Sequence, residues 1–327
     1  MLTDADVDAL EKVSLLGTWL DSPARREARC RGFFPPPLPA PANVYNSYHG
    51  PGVSRAEAAG GNPTSAAAAE FAHHVRRRIC GGDADQFAAV MSWMASLVQR
   101  PGKKVRWALV LRGPKGAGKG LVYNVLEAIV GRRYCRHPSG PAQLVGRFNS
   151  SIENALLLFL DELVWAGDHE AEGCLKKVVT EDVLGVERKG VDSYAVRNLA
   201  HVLIASNNDW VVPTGAGERR FTVCDVSDEL HKDKPRGERI HKLVMSGIAD
   251  VAALLYGWAI DPATLNACHT TAGIEDQHLA SLRGPAGWLA NKLGVHAGRL
   301  FGQRWKKADL FELYTRESGQ RDRKSVV

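Results

Sequence analysis

The stretch from Val105 to Gly131 constrains this chain more than any other. An apolar run, Val105 to Leu111, leads into Gly113-Pro-Lys-Gly-Ala-Gly-Lys-Gly120. Leu121, Val122, Val125, Leu126 and Ile129 then follow at helical spacing, and Gly131 closes the helix. A strand that passes through a glycine-rich loop of spacing G-x-x-x-x-G-K into a helix predicts an α/β fold built on a parallel sheet. The glycines let backbone N–H groups approach phosphate oxygens, and the helix N-terminus adds favourable partial charge. Gly113, Pro114, Lys115, Gly116, Ala117, Gly118, Lys119, Gly120 and Leu121 are therefore the expected nucleotide-binding positions, with the Lys119 ammonium on the β- and γ-phosphates of ATP. Gly120 stands where Ser or Thr ordinarily contacts Mg²⁺. Either water fills that ligand position or magnesium binding and turnover are weakened.

About forty residues on, Leu156-Leu-Leu-Phe-Leu-Asp161-Glu162 reads as a buried strand, Ala155 to Leu160, ending in two acids. Ligands sit at the carboxyl ends of such strands. Asp161 is expected to hold Mg²⁺ through water, and Glu162 to act as general base on the attacking water. A third run, His201 to Ala205, ends in Ser206-Asn207, and an amide there can orient the water and sense the γ-phosphate. Arg219 and Arg220 follow; as a pair they are suited to reach the γ-phosphate of a neighbouring subunit.

Elsewhere the pattern is helical. Ala66–Ile79, Gln86–Gln99 and Glu170–Val179 read as helices, and a hairpin is expected around Val186–Val191. After Asp228 the chain reads as helical, with breaks at Pro235, Pro262 and Pro285. Residues 1–20 suggest a short amphipathic helix, and Phe33–Pro41 with Gly50–Thr64 is rich in Pro and Gly. The expected organisation is a flexible connector over 1–65, a helical lead-in over 66–104, a nucleotide-binding domain over 105–230 and a helical region over 231–327. The last segment, Arg299 to Lys324, carries eight Lys/Arg against four Asp/Glu. It reads as a solvated charged helix or as a winged-helix-like nucleic-acid-binding end.

Composition excludes some classes. The six cysteines form no CxxC pair, which argues against a zinc ribbon. No apolar run is long enough to span a membrane and the start is acidic rather than signal-like. A cytoplasmic location is expected, in a bacterial host or phage-infected cell. The net charge of +6 permits a polyanionic partner without requiring one.

Taken in order, these residues resemble the superfamily 3 helicase domain of phage and plasmid primase–helicase proteins. The likeness spans Val105 to Asp228, with a weaker match from Phe71 and on to Gln277. Its most telling part is LKKVVTEDVLGVERKGVDSYAVRNLAHVLIASNNDWVVPTGAGERRFTVCDVSD. The resemblance implies an AAA+-like P-loop sheet flanked by helices, a homo-oligomeric ring, usually hexameric, and ATP hydrolysis between subunits. It also implies a hairpin that carries basic residues to single-stranded DNA, here Arg188 and Lys189, while Lys176 matches a helix lysine of open role. A primase or polymerase partner is expected. The 65-residue connector is too short and Pro-rich to hold such a domain, so the chain is expected to be a stand-alone helicase part or the remnant of a longer protein. The rival expectations are a P-loop ATPase of packaging or loader type and a nucleotide-binding module without turnover.

Overall fold

The computed structural model describes residues 15–140, 142–145, 149–162, 169–188, 190–209, 211–212, 214, 218–282, 286–289, 292 and 306–318. The chain divides into two units, Met1–His49 and Gly50–Val327. In the first, helix α1 (Leu15–Asp21) precedes two short strands, β1 (Cys30–Gly32) and β2 (Val44–Asn46), which pair in parallel. The proline-rich crossover between them is tied down by Asn46, whose side chain bonds both the N–H and the C=O of Phe34 at 2.9 Å.

The second unit begins inside the stretch read as connector. Helix α2 (Arg55–Ala59) starts with a reciprocal capping box between Ser54 and Glu57, which satisfies two otherwise orphaned N–H groups. Next come α3 (Ala66–His73), a π-helical turn over His74–Ile79, α4 (Ala84–Gln99), β3 (Ala108–Arg112), α5 (Lys119–Val130) and β4 (Cys135–Arg136). After one-turn helices at Ala142–Val145 and Ser150–Ile152 follow β5 (Leu157–Asp161), α6 (His169–Thr180), the hairpin strands β6 (Val183–Arg188) and β7 (Val191–Arg197), β8 (His201–Ser206) and β9 (Phe221–Asp225). The C-terminal part holds a turn at Glu229–Lys232, α7 (Lys234–Ser246), α8 (Ile248–Gly257), a turn at Pro262–Asn266, α9 (Ala272–Ser281) and α10 (Lys307–Ser318).

Five strands form one all-parallel sheet in the order β4-β5-β8-β3-β9. Its central strands are almost wholly buried, as a sheet covered on both faces requires. Side chains alternate between faces along each strand. Ala108, Val110, Leu158, Leu160, Val202, Ile204, Phe221 and Val223 meet Leu175, Val178 and Val179 of α6 and Ile274 of α9. α5 lies against β8 and α4. Burying each Val, Leu, Ile or Phe of this set contributes about 1.5–3 kcal/mol.

Several expectations shift. The helix expected over Ala66–Ile79 stops being α-helical at His73 and continues as a π turn. The strands start later than their apolar runs, at Ala108 and Leu157. The hairpin runs from Val183 to Arg197, and a bulge interrupts its pairing between Val186 and Arg188. The buried Asn149 explains the bulge: its Oδ1 takes the Glu187 N–H at 2.9 Å and its Nδ2 donates to Gly185 O at 2.9 Å. Pro235 and Pro262 sit in the first turns of helical segments, where their missing N–H costs nothing. Strand β9 was not foreseen, although Phe-Thr-Val-Cys ending in Asp225 repeats the apolar-run-then-acid pattern of β5. Among the described residues, no single helix is long and apolar enough to cross a membrane.

Candidate functional site at the carboxyl edge of the sheet

The ends of three strands come together in one row. Leu111 of β3 pairs with Ala205 of β8, which on its other side pairs with Asp161 of β5. The chain leaves β3 at Gly113, whose N–H bonds Ser206 O at 3.1 Å. It turns through Gly116 at φ 82° and Gly118 at φ 95°, both left-handed and suited to glycine, and enters α5 at Lys119. The first amides of α5 have no intrahelical acceptor. A side chain on Gly120 would meet nothing within 4 Å, so this position opens to solvent.

Lys119 is buried, with 7% of its surface exposed. Its ammonium donates to the carbonyls of Gly113 and Pro114, the latter at 2.9 Å, and to Asn207 Oδ1 at 2.8 Å. Asn207 in turn donates from Nδ2 to Glu162 Oε1 at 2.7 Å. One amide thus bridges the loop lysine and the second strand-end acid. Burial pulls the Lys119 ammonium below the ordinary lysine range, and the Asp161 and Glu162 carboxylates act against that pull. The cation and both acids therefore share one local field. Asp161 and Glu162 are exposed, and Glu162 has a left-handed backbone, φ 54°, unusual for a non-glycine residue. Its N–H is held by Ala205 O at 2.9 Å, which fixes the turn that aims the carboxylate.

Beside the loop lies a cleft of about 650 Å³, bordered by Gly113, Pro114, Asn207, Asp225 and Asp276 with Arg112. That size suits a nucleotide-sized ligand. Arg112, the last residue of β3, is clamped by Asp225 and by Asp276 at 2.8 Å. The Asp225 hydrogen bond first, and Asp276 with it, hold its guanidinium above the usual range against the opposing effect of burial. Sequence reading missed this residue, and also His74 and His231, whose rings bond loop carbonyls of Gly118 at 3.1 Å and Lys115 at 2.6 Å. Nothing in the linear sequence links those histidines to a loop more than 40 residues away.

The remaining expected residues lie elsewhere. Arg219 and Arg220 immediately precede β9, whose Phe221 pairs with Ala108 at the amino end of β3. Five strand steps, about 17 Å, separate Ala108 from Gly113, where the loop of the same chain begins. Arg220 pairs with Glu218 at 3.0 Å, whereas Arg219 is exposed. Arg188 of the hairpin is ion-paired with Glu153 and lies over the Tyr194 ring at 5.7 Å. Lys189 lies outside the described residues. Lys176 is half-buried on α6. Among the described residues no cluster of three or more His, Cys, Asp or Glu side chains is arranged to hold a metal by itself.

Residues 111–220 match a family of unknown function (DUF5906). Over 188 residues the chain is 24% identical to the DNA primase-polymerase of Nitratiruptor phage NrS-1, covering 56% of this chain and 26% of that protein. The chain thus spans about a quarter of the length of the curated relative it matches. The apo structure of the NrS-1 C-terminal region (305–718) aligns with a TM-score of 0.66 at 18% identity, over 87% of this chain and 71% of that one. A second apo form of the same region gives a TM-score of 0.64 at 18% identity, over 86% and 70%. The likeness to these structures is one of fold.

Proposed function

We propose that this chain binds ATP at Gly113–Gly120 and hydrolyses it, between subunits, to drive a superfamily 3 type helicase along single-stranded DNA in phage or plasmid replication. The observation that carries the reading is the continuous chain Lys119–Asn207–Glu162, which joins the ends of a glycine-rich loop and two strands of one parallel sheet. The strand order supports an AAA+-like P-loop sheet, because β8, with Asn207 just beyond its end, lies between the loop strand and the acid strand. The likeness to a phage primase-polymerase supports a place in DNA replication.

In this reading, backbone N–H groups of the loop and the Lys119 ammonium take the β- and γ-phosphates. Phosphate oxygens replace the loop carbonyls and the Asn207 oxygen as acceptors for Lys119. Asn207 Oδ1 is thereby freed to orient water, and Glu162, its Oε1 still held by Asn207 Nδ2, accepts the water's proton on its other carboxylate oxygen. Asp161, exposed at the strand end, and water in the open space at Gly120 fit a Mg²⁺ ion. The ion would neutralise charge on the phosphate oxygens. Arg219, too distant to serve its own loop, would act on the nucleotide of the next subunit.

Gly120 favours a second reading, in which nucleotide is bound but not turned over. Phosphate release measured with and without single-stranded DNA, alongside strand separation on a forked duplex, separates the alternatives. The helicase reading expects DNA-stimulated release and strand separation. Release indifferent to DNA would point to a packaging or loader ATPase, and tight ATP binding without release to a module lacking turnover.

A further inference from the structure

We infer that His74 and His231 form a two-point clamp that presets the glycine-rich loop for phosphate, an inference that rests on the nucleotide-binding reading above. His74 opens the π turn and is fully buried; its Nε2 lies 3.1 Å from Gly118 O. His231, on the Glu229–Lys232 turn, places Nδ1 at 2.6 Å from Lys115 O. A carbonyl only accepts, so each of these ring nitrogens carries a proton and donates it. The other nitrogen of His74, Nδ1, is buried without a partner. That arrangement suits a neutral ring, and burial together with the Arg78 cation pulls its pKa to about 4.

The two carbonyls belong to the Lys115–Gly116 and Gly118–Lys119 peptides. In a planar trans peptide the N–H points away from the C=O. Holding Lys115 O and Gly118 O, the latter also an acceptor for the Leu121 N–H at 3.2 Å, therefore turns the N–H groups of Gly116 and Lys119 the other way, where an anion can gather them. Contact at Gly118 is close: a Cβ there would come within 2.5 Å of His74 Cε1 and 3.2 Å of Leu230 Cδ1. The two arms of the clamp are also fastened to each other. Arg78, buried on the same π turn, pairs with Glu229 at 3.3 Å, and its carbonyl takes the Ser227 N–H at 2.8 Å. π turns recur at functional sites, and this one supplies both His74 and Arg78.

A loop fixed before binding loses less entropy when ligand arrives, so removing a clamp point weakens phosphate binding without altering the fold. The test is titration of the full chain with a fluorescent N-methylanthraniloyl ATP and Mg²⁺, with the thermal midpoint of each variant measured in parallel. His231→Phe keeps the ring and loses the donor; the inference expects nucleotide binding weaker by about three- to tenfold, the worth of one hydrogen bond, at an unchanged midpoint. His231→Asn, which offers an amide donor, is expected to recover most of the loss. His74→Gln keeps a donor and His74→Leu does not, and the same ordering is expected; because His74 is buried, His231→Phe decides if His74→Leu fails to fold. Wild-type affinity in a folded His231→Phe protein overturns the clamp alone. No binding by the wild-type chain overturns the nucleotide reading and the clamp with it.

Discussion

Lys119 carries a charge into a place where little of it meets water, and it is tolerated because three oxygens from the loop and Asn207 surround it. Those same bonds pair the ammonium fully within the chain, so in the proposed function phosphate oxygens would have to replace them. Glu162 is the other telling residue. A left-handed glutamate costs on the order of 1–3 kcal/mol, and such strain persists where the surroundings enforce it. Glu162→Gln keeps the Asn207 contact but cannot accept a proton. Phosphate release is expected to fall about 100-fold or more while ATP affinity stays within about threefold, read by steady-state release and nucleotide titration. Gly120→Thr meets no steric obstacle and replaces a helix-weakening glycine. The expected outcome is an unchanged or higher thermal midpoint and half-saturation at several-fold lower Mg²⁺.

At the scale of elements, the sequence made legible what is locally periodic or chemically marked. Strand β3, the loop and α5 were readable because an apolar run, positive-φ glycines and a 3.6-residue stripe occur in succession. Strands β5 and β8 were readable because each ends in a polar group. Strand β9 is hidden because Thr222 interrupts its apolar run, and β4 because two residues carry no periodicity. The clamp on the loop and the Arg112 pairs depend on contacts across more than 40 residues, which no local pattern encodes. Two buried histidines also bear on the fold's response to acid. Burial and the Lys104 ammonium hold His201 down to about 3, and His74 lies at about 4, against 6.5 for a free histidine. The unfolded chain therefore takes up protons first, and their contribution is present above about pH 6.5 and lost progressively toward pH 4 and below. His201→Phe, which preserves a ring against Trp93, is expected to flatten the fall in thermal midpoint between pH 6.5 and 4 relative to wild type.

At the scale of the whole molecule, the candidate groups sit at two opposite ends of one sheet. The loop and acids occupy the carboxyl end, Arg219 the amino end, and a head-to-tail ring would bring one subunit's arginine to another's nucleotide. Lys119→Ala and Arg219→Ala chains, each inactive alone, are then expected to recover part of the wild-type phosphate release when mixed; no recovery at any mixing ratio would argue against a shared site. The most direct measurement is steady-state phosphate release from Mg·ATP by wild-type and Lys119→Ala protein, both verified as folded. Ready release by the first and a loss of at least about 100-fold in the second are expected. Equal rates would contradict the proposed function, because the lysine at the centre of the network would then have no part in the chemistry.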